Sequence, residues 1–443
     1  MSTLGVRGGT VLAPGGPERS DVFITAGRIV NVLRGVGTTG TGHGGPGGRI
    51  EDGTVGAGAE RSVVDAPVQD DAVPAAGGGS PVAGGVPGAG TAGTAGPRPD
   101  AWLDATGLVV APGFVDLQCN GALGVDLTSE PGRLGEVAAA LPRWGVTSWL
   151  PTIVTAPPSA RARARAALAV HEDPAGATPL GLHLEGPFLA PERCGAHDPA
   201  LLVGPSPELV RDEDWSAAAG VALVTLAPEL PGALAVVREL VDRGVVVSAG
   251  HSSASAAEAR AALDAGVTWV THLFNAMVGL HHRAPGLPGI ALTDERVRVG
   301  LIADGLHVDP ALVSVAAAAV GDRLTLVTDA VAALGVAPGR QRVASLDVTV
   351  SADDGAVRLA DGTLAGSTLS LDRAVRNLMA FAGVDLAGAV HAATAAPAAL
   401  LGLADRGVVA PGAVGDLVLL TPAGEVVATV IGGRVVHDVR TGT

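Results

Sequence analysis

Four stretches decide how this chain folds: Gly181-Leu182-His183-Leu184-Glu185-Gly186, Val246-Val247-Ser248-Ala249-Gly250-His251, Trp269-Val270-Thr271-His272-Leu273-Phe274-Asn275 and Leu324-Thr325-Leu326-Val327-Thr328-Asp329. Each is a short apolar run that ends in a residue able to bind or activate something. Seven of the eleven histidines lie between 183 and 307. A parallel strand that delivers Glu, His or Asp at its C-terminal end is how a (β/α)8 barrel builds an active site.

Outward from these stretches the same strand, loop and helix alternation repeats. Strands are expected at 108–117, 147–154, 180–185, 221–227, 245–250, 268–274, 297–303 and 324–328. Helices are expected at 134–144, 159–171, between 227 and Arg243, at 254–265 and at 310–320, with Ser253 or Ser255 capping the helix at 254–265. The strands are apolar on both faces, as in a parallel sheet covered on both sides. Eight such units predict an α/β protein, a closed (β/α)8 TIM barrel over 111–406, with a doubly wound open sheet as the alternative. After the eighth strand, 342–359 reads as a β-hairpin, and 368–382 and 386–401 read as helices.

The ends of the chain are β-like. Val6–Val32 fits a hairpin turning at Ala26-Gly27-Arg28, Trp102–Val110 resumes strand character, and 407–437 returns to short strands. The simplest partners for these strands are one another, so 1–110 and 407–443 are expected to form one small discontinuous β-sandwich domain. Gly35–Pro99, dominated by Gly, Ala, Pro, Thr and Ser without periodicity, is expected to be a disordered insertion, with Arg61–Val68 a weak strand within it.

A chain of 443 residues has room for one barrel and a smaller domain. Aromatic residues are only 2%, so the core must be built from Ala, Val and Leu. A net charge of -15 argues against a sequence-independent nucleic-acid binder, which needs a basic surface. It does not argue against a small anionic substrate, since one Arg or His can hold a phosphate. Cys119 and Cys194 form no CxxC and no disulfide framework, and read as free thiols of a reducing cytoplasm. Met1–Pro17 shows no signal peptide, and no long uncharged apolar run suggests a membrane span.

Glu185, His251 and His272 are the candidate metal ligands. Two imidazoles, one carboxylate and an open fourth position make a catalytic divalent-metal set that accepts Zn, Fe, Co or Mn. Asp329, on the eighth strand, is the candidate general base and acid, with a helix N-cap as its plainer role. His307 follows the seventh strand, where barrels often bind phosphate. Asn275 and Ala276 follow His272 into the same pocket, and His197 could polarise a carbonyl. Leu280-His281-His282-Arg283 is basic within an acidic protein, which favours an anionic group near Arg283. His281 and His282 themselves read as a solvated loop.

With these residues in place, the sequence resembles N-acetylglucosamine-6-phosphate deacetylases, a branch of the amidohydrolase superfamily. The motifs are Pro112-Gly113-Phe114-Val115-Asp116-Leu117-Gln118, His183-Leu184-Glu185-Gly186-Pro187-Phe188-Leu189, Gly195-Ala196-His197, Ala249-Gly250-His251-Ser252, Thr271-His272-Leu273-Phe274-Asn275-Ala276-Met277, Asp304-Gly305-Leu306-His307, Val327-Thr328-Asp329-Ala330 and Leu364-Ala365-Gly366-Ser367. The resemblance implies hydrolysis of the acetamide of N-acetyl-D-glucosamine 6-phosphate, with one metal ion, zinc first, on Glu185, His251 and His272. It implies proton transfer by Asp329 and carbonyl contact by His197. Ala196, Asn275, Ala276, Arg283, Asp304, Gly305 and His307 would hold the sugar phosphate, and Leu364, Ala365 and Gly366 would line the pocket. Arg283 would reach into the neighbouring subunit of a homodimer. Rival readings are the galactosamine epimer as substrate, a cyclic-amide amidohydrolase, and a catalytically dead carbohydrate-binding or scaffold protein. One departure matters. Many amidohydrolases carry His-x-His after the first strand, where this chain reads Gln118-Cys119-Asn120, so a mononuclear site is expected. Strand alternation turns Cys119 away from its two neighbours.

Overall fold

The computed structural model describes residues 2–34 and 98–442. The expected disordered insertion, with its weak strand at Arg61–Val68, lies outside the described residues except for Arg98 and Pro99.

Eight parallel strands make the barrel: Phe114–Cys119, Val146–Val154, Leu182–Glu185, Val221–Leu226, Val246–Ala249, Val267–Val270, Arg298–Leu301 and Leu324–Leu326. They pair in chain order from first to eighth. The eighth strand returns to the first through the Asp329 N–H on the Gln118 carbonyl (2.9 Å) and the Asn120 N–H on the Ala330 carbonyl (2.7 Å). The Thr328 hydroxyl reinforces that seam by donating to Asp116 Oδ2 at 2.6 Å. Asp116 is fully buried, and burial pushes its pKa up to about 7. The core is Ala, Val and Leu as composition requires, with Trp149, Trp215 and Trp269 completely buried to fill the volume that small side chains leave.

Local signals explain most elements. The helix Ala256–Ala265 starts at Ser255, whose hydroxyl accepts the Glu258 N–H while the Glu258 carboxylate accepts the Ser255 N–H. This reciprocal cap selects Ser255 over Ser253.

Four expectations change. The apolar run at 108–117 is two strands, not one. Val109–Pro112 pairs with Thr3–Ala13 and Leu417–Leu420, whereas Phe114–Cys119 enters the barrel. Between them, a Cβ on Gly113 would sit 2.1 Å from Thr147 Oγ1, so only glycine lets the chain cross there. The N-terminal segment is three strands, Thr3–Ala13, Gly16–Thr25 and Arg28–Arg34. The excursion after the eighth strand is also three-stranded, Gly339–Val343, Leu346–Val350 and Val357–Arg358. The helix expected over 386–401 breaks at Thr394, whose φ of -135° and ψ of -81° are not helical. A helix at Gly286–Thr293 went unread because two glycines and a proline mask its pattern.

The terminal strands, with Ala101–Asp104, Val426–Ile431 and Arg434–Asp438, form one eight-stranded sheet. That sheet buries its own apolar cluster, including Val6, Val11, Val22, Ile24, Leu417 and Leu419. Among the described residues, no helix is long and apolar enough to cross a membrane.

Candidate metal centre and active site

The C-terminal ends of the third, fifth, sixth and eighth strands deliver the site. Glu185 is the last residue of the third strand; His251, His272 and Asp329 lie two or three residues beyond theirs. His251, His272 and Asp329 have φ of 48°, 28° and 47°. Left-handed backbone at a non-glycine residue costs on the order of 1–3 kcal/mol and persists only where surrounding bonds enforce it, typically at a functional site.

The three candidate ligands converge. His251 Nε2 and His272 Nε2 lie 3.1 and 3.0 Å from Glu185 Oε1, and 3.1 Å from each other. Two ligands each about 2.0–2.1 Å from a tetrahedral zinc stand about 3.3 Å apart, so these spacings fit one shared ion. Among the described residues, these three form the one His/Cys/Asp/Glu group whose donor atoms could hold a metal ion. His251 Nδ1–H donates to the Arg193 carbonyl at 2.8 Å, which leaves the Nε2 lone pair facing the site. Burial works against a charge on Glu185, but the neighbouring His251 and His272 outweigh it and hold the carboxyl well below its usual range. His183, on the same strand, is not part of the site. It is fully buried, bonded to the Leu117 carbonyl and Thr225 Oγ1, and burial pushes it down to about 4.

Asp329 faces this group through two amides. Gln118 Nε2 donates to Glu185 Oε1 (3.0 Å) and to Asp329 Oδ1 (3.2 Å), and Asn120 Nδ2 donates to the same Asp329 oxygen at 2.8 Å. Burial and the Glu185 carboxylate raise Asp329 to about 6. Cys119, between the two amides, is turned away and buried, with its Sγ 3.7 Å from the Gly121 carbonyl. The Gln118-Cys119-Asn120 run is therefore more than an absent ligand pair: it tethers the two carboxylates. Sequence reading missed that role, although strand alternation already put both amides on one face.

His197 offers a defined donor. Its Nδ1 accepts the Thr155 backbone N–H at 3.2 Å and lies 2.9 Å from the Thr155 hydroxyl. A neutral imidazole accepting at Nδ1 carries its proton on Nε2, which lies 3.8 Å from Glu185 Oε2. Burial and the neighbouring His251 push His197 down to about 3, so it stays neutral.

These groups open into a cavity of about 370 Å³, also lined by Ala196, Asn275, Ala276, His307, Leu364, Ala365 and Gly366. Gly366 has φ +67°, and a Cβ there would meet Val331 Cγ1 at 2.3 Å. Ser367, the next residue, donates its N–H to the Asp329 carbonyl at 2.8 Å and its hydroxyl to the Thr328 carbonyl at 2.5 Å, which ties this wall to Asp329. Three expected contacts lie outside the cavity wall. Asp304 sits behind His307, accepting its Nδ1–H at 2.7 Å and the backbone N–H groups of Leu306 and His307 at 2.8 Å each. Gly305, at φ +78°, makes the turn between them. Arg283 is exposed, beside the exposed His281 and His282.

Residues 109–436 match the amidohydrolase family. N-acetylglucosamine-6-phosphate deacetylase of Homo sapiens is 40% identical over 349 residues, 75% of this chain and 84% of that protein. N-acetylgalactosamine-6-phosphate deacetylase of Escherichia coli O157:H7 is 41% identical over 302 residues, 67% of this chain and 78% of that protein. The structure of a mutant N-acetyl-D-glucosamine-6-phosphate deacetylase from Mycobacterium smegmatis, in complex with N-acetyl-D-glucosamine-6-phosphate, matches with a TM-score of 0.77 and 33% identity over 98% of this chain and all of that one.

Proposed function

The chain belongs to the amidohydrolase family, in its N-acetylglucosamine-6-phosphate deacetylase branch, and on that premise we propose that it hydrolyses N-acetyl-D-glucosamine 6-phosphate to D-glucosamine 6-phosphate and acetate in amino-sugar catabolism. The observation that carries this reading is the convergence of Glu185, His251 and His272 beside an aspartate held by the Gln118 and Asn120 amides, the first of which also bonds to Glu185. Glu185, His251 and His272 would hold one divalent ion per chain, zinc before iron, cobalt or manganese, which would supply Lewis acidity to the water and the acetyl carbonyl. The absence of His-x-His at Gln118-Cys119-Asn120 supports one ion rather than two.

Asp329 takes a proton from the attacking water and returns it to the departing amine. With a pKa near 6 it is ionised at neutral pH and still basic enough to accept that proton. The His197 Nε2–H donates to the acetyl oxygen as charge develops there. Ala196, Asn275, Ala276 and His307 hold the sugar phosphate against Leu364, Ala365 and Gly366, and Asp304 and Gly305 fix the His307 ring. Arg283, exposed and outside its own cavity, suits a guanidinium that reaches a neighbouring subunit of a homodimer. Free thiols at Cys119 and Cys194 suit a reducing cytoplasm.

The galactosamine epimer is a second reading, favoured by the relative that is 41% identical and acts on it. The test is acetate release from both hexosamine phosphates and from unphosphorylated N-acetylglucosamine, with metal content measured on the same sample. Metal-loaded protein that releases no acetate from either phosphate refutes the proposal and supports a binding or scaffold role.

A further inference from the structure

Arg193 lines the cavity yet takes no part in the proposed hydrolysis. Its carbonyl accepts from His251 Nδ1, so its backbone is fixed at the metal centre. Its Nε donates to Ser253 Oγ at 3.1 Å. Ser253 is anchored in turn, its N–H donating to Glu229 Oε1 at 2.5 Å while the Ser252 hydroxyl donates to Glu229 Oε2 at 2.7 Å. Among the described residues, no carboxylate pairs with Arg193. The guanidinium is therefore held by one edge, with four N–H donors of its two terminal nitrogens uncommitted. That fork matches two oxygens of a phosphate.

The surroundings point the same way. The chain contains no lysine, so every fixed cation is an arginine. Among the described residues, Arg193 is the one arginine lining this cavity, since Arg283 lies outside it. The Ser252 N–H donates to the Ala276 carbonyl at 3.0 Å, and a Cβ on Gly195 would lie 3.5 Å from the His251 ring and 4.0 Å from the Ala276 Cβ. Arg193, Gly195 and Ala276 thus line one side of the cavity, with Ser253 behind Arg193.

We propose that Arg193 is the chain's own guanidinium contact for the phosphate of the substrate, and that it sets the preference for phosphorylated over unphosphorylated sugar. This rests on the hexosamine-phosphate reading above. A lost charge-assisted contact lowers affinity on the order of 10- to 100-fold. In metal-loaded protein, Arg193→Met is expected to raise KM for N-acetylglucosamine 6-phosphate by that factor with kcat within about threefold. Calorimetry should show the same loss for glucosamine 6-phosphate and no change for glucosamine, and Arg193→Lys should recover part of it. Equal weakening for phosphorylated and unphosphorylated sugars, or a fall in kcat alone, overturns the role. Wild-type protein that binds glucosamine 6-phosphate but releases no acetate would refute the deacetylase reading and leave the Arg193 comparison readable by calorimetry. Metal content and Tm equal to wild type show that the His251 contact, a backbone one, survives.

Discussion

Replacing Asn120 by leucine tests whether the amides govern the proton carrier. Asn120 Nδ2 donates to Asp329 Oδ1 at 2.8 Å, and Gln118 Nε2 reaches the same oxygen at a longer 3.2 Å. Both bonds favour the ionised carboxylate, against burial and Glu185, which raise its pKa to about 6. A hydrogen bond to a buried charge contributes about 1.5–3 kcal/mol, and 1.36 kcal/mol corresponds to one pH unit. Leucine keeps the volume and removes the donor, so the Asp329 pKa should rise by about one to two pH units. The base form is the ionised one, so activity is lost as pH falls through this pKa. The acid limb of kcat for acetate release should therefore move up by the same amount. Turnover at pH 7 should fall about two- to tenfold and recover largely by pH 9. A uniform fall in kcat at all pH values, with the acid limb in place, would refute the reasoning, because it would mean that Asn120 acts on geometry and not on the protonation of Asp329.

Four further outcomes are expected, three at the site and its seam and one at a distant ion pair. Asp329→Asn should lower kcat by about 10²–10⁴-fold and leave KM within about threefold, since its proton chemistry is removed and binding is not; equal loss in both would contradict the role. Chelation should abolish acetate release and lower Tm, with activity returning on zinc, cobalt or manganese, because the three ligands also join three barrel strands; full activity in metal-free protein would end the hydrolase reading. Arg161→Met breaks a part-buried bidentate pair with Glu213 at 2.6 and 2.9 Å and should cost at most about 3 kcal/mol in urea unfolding, because Glu213 is half-buried and Trp215 Nε1 still donates to it; a cost under 1 kcal/mol would show the pair to be idle. Thr328→Val deletes hydroxyl bonds to Asp116 Oδ2 and the Gln118 carbonyl and should cost about 1–3 kcal/mol in the same assay, with metal content unchanged; loss of metal would show that the seam also supports the ligands.

The four strand ends were legible because each is an apolar run cut off by a residue that water or metal must satisfy, a contrast carried by the sequence itself. The break at Gly113 was not. Leu108–Leu117 is one apolar run, and the need for glycine arises from Thr147 pressing on it from another strand. Gln118 and Asn120 were legible only as missing histidines, since an amide's role depends on the carboxylates it meets. Those lie 67 and more than 200 residues away in sequence. Asp304 and His307 were read as equal contacts for the substrate because spacing alone does not say which of two neighbours faces a cavity and which stands behind. Arg193 gave no signal at all: nothing in Pro191-Glu192-Arg193-Cys194 distinguishes it from a surface loop until the loop closes over His251.

The seam between the first and eighth strands joins folding to chemistry. The eighth strand is only Leu324–Leu326, so the bonds that carry the barrel past it are made by Thr328, Asp329 and Ala330. Asp329 is held on both sides of its left-handed φ, by its N–H on the Gln118 carbonyl and by the Ser367 N–H on its own carbonyl. The side chain has little freedom left, and its Oδ1 takes both amide donors. Oδ2 is then the oxygen free of those two amides, and so the one that the proposed proton transfer would use. A carboxylate on a loose loop would have to pay ordering entropy at each turnover. Here the closure of the barrel fixes it during folding, and the same hydrogen bonds that complete the sheet keep the proposed proton carrier beside the three candidate metal ligands.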